Sequence, residues 1–184
     1  MVNNDLLKLP LYLVGIFWLA GLLGTWRRAV TCLIFSYVAL IVACQHNAFV
    51  ADMGLMSALA GQASPIQKSA LGFALSLVIV FIVLFILFRI MWVPTQQPSQ
   101  SQGTINKLGQ SILTGIAGWA LGVMLAFSLV THQVGRIVFL EGGAETVFYN
   151  DAMSDTTNAV ITLIDPWLPD DLPLFLREWK SGAQ

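Results

Sequence analysis

The chain has 184 residues, of which 57% are hydrophobic and only 10% are charged, and its mean hydropathy is +0.75. A soluble domain carries about 25% charged residues. This composition argues against a soluble globular protein, because so few charges could not cover so much apolar surface. The formal net charge of −1 is uninformative by itself. We therefore predict an all-α integral membrane protein.

Four apolar runs predict about four transmembrane helices, at residues 9–26, 29–45, 69–93 and 108–134. The first run would cover about 27 Å at 1.5 Å per residue, close to the thickness of the hydrocarbon layer. Arg27 and Arg28 alone separate the first two runs, which predicts a tight helical hairpin. The first run ends in Gly24-Thr25-Trp26-Arg27-Arg28, which is not a small-x-small cleavage site, so we expect it to be an uncleaved span. The main competing topology has three spans, with the first or second run only half-inserted.

Two polar segments separate the remaining runs. Residues 46–68 are expected to contain a short amphipathic helix on the membrane surface, because apolar residues recur there near helical spacing. These residues are Phe49, Val50, Met53, Met56 and Leu59. Residues 94–103 are rich in Pro, Gln and Ser and predict a flexible, exposed linker.

The chain changes character after residue 135, so we divide it into a membrane domain, 1–135, and an amphipathic acidic tail, 136–184. Two tail helices are expected, Asp155–Ile164 and Asp171–Trp179, separated by a proline that disfavours helix in the residue before it. The tail aromatic residues suit a layer at the lipid headgroups: Trp167, Phe175 and Trp179. The tail either rests on the membrane or docks to a partner protein.

The distribution of charge predicts the orientation of the spans. Four basic residues and no acidic residue flank the two connections on one side, namely Arg27, Arg28, Arg89 and Lys107. The tail from residue 135 onward has three basic and eight acidic residues. By the positive-inside rule the basic connections are cytoplasmic. Both termini and the tail are then periplasmic.

Candidate reactive residues are few. The predicted spans contain no Asp, Glu or Lys in their interior, which argues against a self-contained pump or proton channel. Arg89 is expected to reach the headgroups. His46 and His132 lie near span ends, where polar capping is expected ahead of metal binding. No catalytic motif, cofactor motif or metal-ligand spacing is present, so we predict a protein that is not an enzyme.

The fourth run contains the most specific pattern in the chain. Small residues recur there at three- and four-residue spacing, at Gly115, Gly118, Gly122 and Ala126. Such a ridge allows another helix to approach closely. We expect a helix-packing surface at these residues, used either within the subunit or between copies.

The order of these features resembles the colicin V production protein (CvpA) family across most of the chain. The matching positions are Asp5, Gly24-Thr25-Trp26-Arg27, Asn106-Lys107-Leu108-Gly109 and the glycines Gly115, Gly118 and Gly122. The resemblance implies a four-span protein of the bacterial inner membrane, linked to colicin V export, toxin biosynthesis or envelope homeostasis. It implies no catalytic residue.

We therefore expect a non-enzymatic scaffold or accessory protein of the CvpA type. Its expected partners are the lipid bilayer, further copies of the chain and other membrane or periplasmic proteins, with no cofactor and no nucleic acid. Two alternatives are an oligomeric channel or transporter subunit and a small structural subunit of a larger membrane complex. The polar span residues available to a channel are few and scattered: Ser36, Gln45, Thr114, Ser128 and Thr131.

Overall fold

A computed structural model describes residue 6 and residues 8–52, 63–91, 104–135, 144–168 and 172–182, with side chains except at 88–91, 144–150 and 182. These described residues are almost entirely helical and contain no strand, which confirms the all-α prediction. The helices are α1 (Leu9–Leu23), α2 (Trp26–Ala51), α3 (Pro65–Met91), α4 (Thr104–Val134), α5 (Ala144–Ile164), a 3₁₀ turn (Asp165–Trp167) and α6 (Leu174–Gly182).

Within the described ranges, three helices are long and apolar enough to cross a membrane: α2, α3 as far as Leu87, and α4. This finding supports the prediction of a membrane protein. With 15 residues, α1 extends about 22 Å, which is less than the hydrocarbon thickness of about 30 Å. With 31 residues, α4 extends about 46 Å and reaches well beyond such a layer.

Helix α1 begins at Leu9 as predicted but ends earlier, whereas α2 begins earlier and ends later than predicted. Helix α1 ends at Leu23 because Gly24 and Thr25 adopt extended conformations. Helix α2 begins at Trp26, so Arg27 and Arg28 lie in its first turn instead of forming the connection. It then continues past residue 45 to Ala51.

Helices α3 and α4 each begin four residues before the predicted runs, and local features explain the start of α3 and the end of α4. Before α3, Ser64 N–H donates to Gln67 Oε1 (2.8 Å) and Gln67 N–H donates to Ser64 Oγ (3.3 Å), which forms a capping box. Helix α4 begins at Thr104 and is closed by Gly135, whose φ of +74° is readily adopted by glycine.

Part of the predicted connecting structure differs or lies outside the described residues. Phe49 and Val50 belong to the last turns of α2 and not to a separate surface helix. Met53, Met56 and Leu59 lie outside the described residues, as does the linker 94–103.

The tail is folded onto the helical bundle. Helix α5 begins at Ala144, earlier than predicted, and α6 follows Pro173 directly; Asp171 lies outside the described residues. Phe175 is fully buried, in the same hydrophobic core as α2, α3 and α4. Its predicted position at the lipid headgroups is therefore wrong, because α3 and α4 provide an aromatic site for it. Trp167 is 65% exposed.

Contacts between helices define the two ends of the bundle. At the first, called the basic end, Trp26 of α2 lies against Gly109 of α4. At the opposite end, Asn47 of α2 bonds to Ser69 of α3. The tail packs against the half of the bundle nearer this opposite end.

Candidate functional site

The glycines of α4 form the contact with α1. A β-carbon on Gly122 would lie 2.5 Å from Cα of Pro10, and one on Gly118 would lie 2.8 Å from the carbonyl oxygen of Leu13. The two backbones therefore touch at both positions, which only residues without a side chain allow. Gly118 and Gly122 are therefore covered by α1 of the same chain.

The two ends of the ridge meet different neighbours. A β-carbon on Gly115 would lie 3.3 Å from the indole ring of Trp18 in α1. Ala126 is fully buried in a small cluster with Met153 of α5, against which Leu9 also packs. The ridge therefore joins α1 to α4 along most of its length and joins the tail to α4 at Ala126.

The predicted topology-setting residues gather at the basic end. Arg27 and Arg28 are exposed in the first turn of α2, and Lys107 is exposed in the first turn of α4. Trp26 beside them is 49% exposed. Arg89 lies in the last turn of α3, and its side chain lies outside the described residues. An exposed tryptophan beside arginines is typical of a membrane–water interface.

Exposed apolar side chains lie along α1, along the parts of α3 and α4 nearer the basic end, and at two positions of α2, and we call this surface the apolar belt. It consists of Leu11, Tyr12, Ile16, Leu19, Leu22, Leu23, Trp26, Ile34, Val78, Ile79, Ile82, Val83, Phe85, Ile86, Leu87, Ile105, Leu108, Ile112 and Ile116. Along α3 the exposed large apolar side chains begin at Val78, whereas Phe73 and Leu77 are buried. So large an apolar surface requires lipid or other helices to cover it.

A three-way hydrogen-bond cluster, called the tail clasp, fixes the start of α6. Ser69 Oγ accepts a bond from the Asn47 amide (3.1 Å) and another from the backbone N–H of Leu174 (3.0 Å). The Asn47 and Ser69 side chains are both buried. Because these bonds join α2, α3 and α6, the clasp couples the position of the tail to the crossing of α2 and α3.

Aromatic rings extend the clasp into the core. Phe175 of α6 lies between Phe73 of α3 and Phe127 of α4, with ring centroids 5.4 Å apart in both pairs. The ring of Trp179 stands edge-on to Phe127, and its Nε1–H donates to Asn158 Oδ1 of α5 (2.8 Å). Such aromatic pairs contribute about 0.5–1.5 kcal/mol each beyond the area that they bury.

Helix α5 crosses the bundle near the middle of α4 and α2. Trp119 Nε1–H of α4 donates to Thr156 Oγ1 (2.7 Å), and the Tyr37 hydroxyl of α2 donates to the carbonyl of Leu163 (2.9 Å). Lys180 of α6 pairs with Asp165 at 2.7 Å, on the exposed side of the tail. An exposed pair of this kind contributes little, so the attachment of the tail depends mainly on its packing against the bundle.

A polar cavity of about 560 Å³ opens between α2, α3 and α6 at the opposite end. Asn47 and Ser69 lie at its wall, and Asp52, Lys68 and Arg177 are the charged residues that line it. Arg177 also donates a bond to the carbonyl of Leu172 (3.4 Å). This lining could hold a small polar solute through charge and hydrogen bonds.

The two histidines do not form one site. His132 and Gln67 exchange two bonds: the Gln67 amide donates to the His132 carbonyl (2.8 Å), and His132 Nδ1 lies 3.0 Å from the Gln67 carbonyl. Since that carbonyl can only accept, Nδ1 holds the proton. His46 lies exposed on α2. Within the described ranges, no group of three His, Cys, Asp or Glu residues could hold a metal ion.

The polar span residues proposed for a channel mostly bond to their own helices. Ser36 donates to the carbonyl of Cys32, Thr114 to that of Gln110, and Ser128 to that of Leu125, at 2.8–3.0 Å. A hydroxyl satisfied in this way can lie in an apolar contact without a water molecule. These residues therefore form packing surfaces and not a continuous polar lining.

Comparison with known proteins gives no relative whose function could be considered for this chain. No family model, characterised protein or solved structure matches the chain. The features of the molecule that bear on its function are the apolar belt, the basic end and the docked tail.

Sequence reasoning missed the residues of the tail clasp. Asn47 was assigned to a polar connection and Ser69 to the first residue of an apolar run, and neither stood out. The sequence does contain one signal for this cluster. Asn47 follows one apolar run and Ser69 begins the next, so both polar residues lie at the borders of helices that pack against each other. A single sequence does not indicate which of these polar residues become buried and meet.

Proposed function

We propose that this chain is a non-enzymatic scaffold or accessory protein of the CvpA type in a bacterial inner membrane, serving export or envelope homeostasis. The observation that carries the proposal is the division of the surface into an apolar belt and a tail-covered opposite end. A belt of this kind offers contact area to lipid and partner helices, while the tail offers polar and charged groups to proteins outside the membrane. Both are binding surfaces.

The proposed topology has four crossings, with the basic end in the cytoplasm and both termini in the periplasm. The exposed Arg27, Arg28 and Lys107 support this orientation. The shortness of α1 is compatible with a crossing, because a short helix is accommodated by local thinning of the bilayer. The tail then covers the parts of α2, α3 and α4 that extend beyond the hydrocarbon layer.

Chemical labelling of introduced cysteines tests this topology. In a chain with Cys32 and Cys44 replaced by alanine, we expect Gln100→Cys to be labelled only from the cytoplasm and Asp170→Cys only from the periplasm. A membrane-impermeant maleimide added to spheroplasts and to inverted vesicles distinguishes the two sides. Labelling of both positions from the same side would contradict the four-span topology.

Gentle extraction tests the scaffold proposal. We expect the particle purified in a mild detergent to be heavier than one 20.1-kDa chain plus its detergent, with further copies or partner proteins in defined ratio. Light scattering combined with mass spectrometry gives the mass and the composition. A monomer with no partner, extracted in several mild detergents, would contradict the proposal.

The same particle distinguishes the alternatives. A closed homo-oligomer with a hydrated axis would favour a channel or transporter subunit, and the polar cavity lined by Lys68 and Arg177 is the observation that keeps this candidate open. A single copy held among unrelated membrane chains would favour a small structural subunit of a larger complex. Ion flux through reconstituted vesicles separates the channel from the scaffold.

A further inference from the structure

Helix α1 packs along α4 but makes few contacts with α2 and α3. Two apolar crevices lie along the seam between α1 and α3. One has a volume of about 250 Å³ and lies near the basic end, and the other has a volume of about 160 Å³ and lies farther from it. Phe81 of α3 lines both crevices, and its ring lies 5.7 Å from that of Phe17 in α1 where they meet. The two crevices adjoin at Phe81, and we call the pair together the α1–α3 cleft.

Small residues keep the cleft open towards the basic end. Ala20, Gly21 and Gly24 line it from α1, and Thr114 of α4 lies at its floor. A β-carbon on Gly21 would overlap Thr114 Oγ1, so the helices are in backbone contact beneath the cleft. The rest of the lining is mainly aromatic and aliphatic, which suits a hydrocarbon ligand.

The length of the cleft fits a chain from one leaflet. From Leu13 to Gly24, the cleft follows α1 for about 16 Å at 1.5 Å per residue. Half of a hydrocarbon layer of about 30 Å is about 15 Å. The two crevices are small, about 250 and 160 Å³, so they suit an extended acyl chain better than a bulky compound.

The charge at the end of the cleft indicates the headgroup. Arg28 lines the crevice nearer the basic end, where Arg27 and Trp26 mark the membrane–water interface. A guanidinium at this depth binds a phosphate oxygen through charge-assisted hydrogen bonds. Lipid is the occupant that the position favours, because the seam opens on the apolar belt.

We propose that the α1–α3 cleft binds one acyl chain of an anionic phospholipid, whose phosphate lies at Arg28. The bound lipid fills the gap that α1 leaves beside α3 and so completes the packing of α1. This proposal requires the membrane but not the scaffold function, so the two can fail separately.

Native mass spectrometry of the full chain tests the headgroup contact. Protein in mild detergent is mixed with vesicles of phosphatidylglycerol or of phosphatidylcholine, and we expect one retained lipid per chain, with phosphatidylglycerol preferred. Arg28→Gln should lower the retained phosphatidylglycerol by about five- to tenfold. Arg27→Gln is the matched control, because it removes the same charge beside the cleft, and it should retain most of the lipid.

A second variant tests the cleft itself. Ala20→Phe places a ring in the cleft from an exposed position, so it should fold normally and lose retention of both lipids. Leu19→Phe adds a ring on the exposed face and should retain both. An equal loss in Arg27→Gln and Arg28→Gln, normal retention by Ala20→Phe, or a wild-type chain that retains only detergent would each overturn the proposal.

Discussion

Replacing Gly122 with leucine should lower the thermal unfolding midpoint of the detergent-solubilised protein by roughly 6–12 °C. The added side chain would overlap the backbone of Pro10, which cannot move without pulling α1 away from α4. We expect a cost of about 3 kcal/mol or more, at the upper end for overpacked contacts. Tryptophan fluorescence reports the transition, because Trp18 packs at the same α1–α4 contact.

Gly15→Leu is the matched control for this experiment. Gly15 lies on α1 with no other side chain or backbone near its missing β-carbon. Leucine should be neutral there or slightly stabilising, because glycine is a poorer helix former by about 1 kcal/mol. Equal unfolding midpoints for Gly122→Leu and Gly15→Leu would contradict the α1–α4 contact. A loss of oligomer mass without a change in midpoint would instead assign the ridge to contacts between copies.

The helices themselves were predictable because the length of an apolar run is a local property of the chain. Residues 69–93 and 108–134 predicted α3 and α4 to within a few residues. Their first residues were harder to predict. The α3 start at Pro65 depends on the Ser64–Gln67 capping box, whose polar residues carry no hydropathy signal.

The end of α2 shows why hydropathy alone misplaced a boundary. Gln45 and His46 were expected to end the second span, yet the helix continues through Asn47 to Ala51. The Asn47 amide is buried because Ser69 of α3 accepts its hydrogen bond. A polar residue can continue a buried helix when its partner lies on another helix, and a single sequence does not specify that partner.

The sequence predicted a close helix contact at the α4 glycines but not which helix makes it. Glycine spacing in α4 correctly indicated close helix contact, because small residues at this spacing favour it wherever they occur. It did not indicate that α1 is the partner, since that depends on which helix reaches Gly118 and Gly122. The α1–α3 cleft was not foreseen for a similar reason, because it results from the separation of two helices.

The position of the tail was the largest difference from expectation. Alternating acidic and apolar residues predicted a tail that either rests on the membrane or docks to a partner protein. The same pattern also suits a helix that buries one face against the bundle of its own chain. In α6, Phe175 and Leu176 face the core while Arg177 and Glu178 are exposed. Which environment receives the apolar face depends on Phe73, about a hundred residues earlier in the chain.

Phe175→Ala should release α6 from the bundle. The substitution removes a fully buried ring from between Phe73 and Phe127, and losses of this kind cost about 3–5 kcal/mol. Because the tail clasp and Phe175 hold the same helix, we expect the amide hydrogens of residues 174–182 to exchange about a hundredfold faster or more. Hydrogen exchange followed by peptide mass spectrometry measures this, while the α4 peptides should keep most of their protection.

Trp167→Ala is the control for tail release, because this aromatic residue lies in the same tail and is largely exposed. It should leave exchange in residues 174–182 unchanged.

Ser69→Ala supplies an independent test, since it removes the acceptor of the Leu174 N–H and Asn47 bonds without touching a ring. It should raise exchange in α6 by a smaller factor than Phe175→Ala. If α6 exchanged at the wild-type rate in both Phe175→Ala and Ser69→Ala, the tail would not depend on the clasp or the aromatic site, and its docking would have to rest on α5 alone.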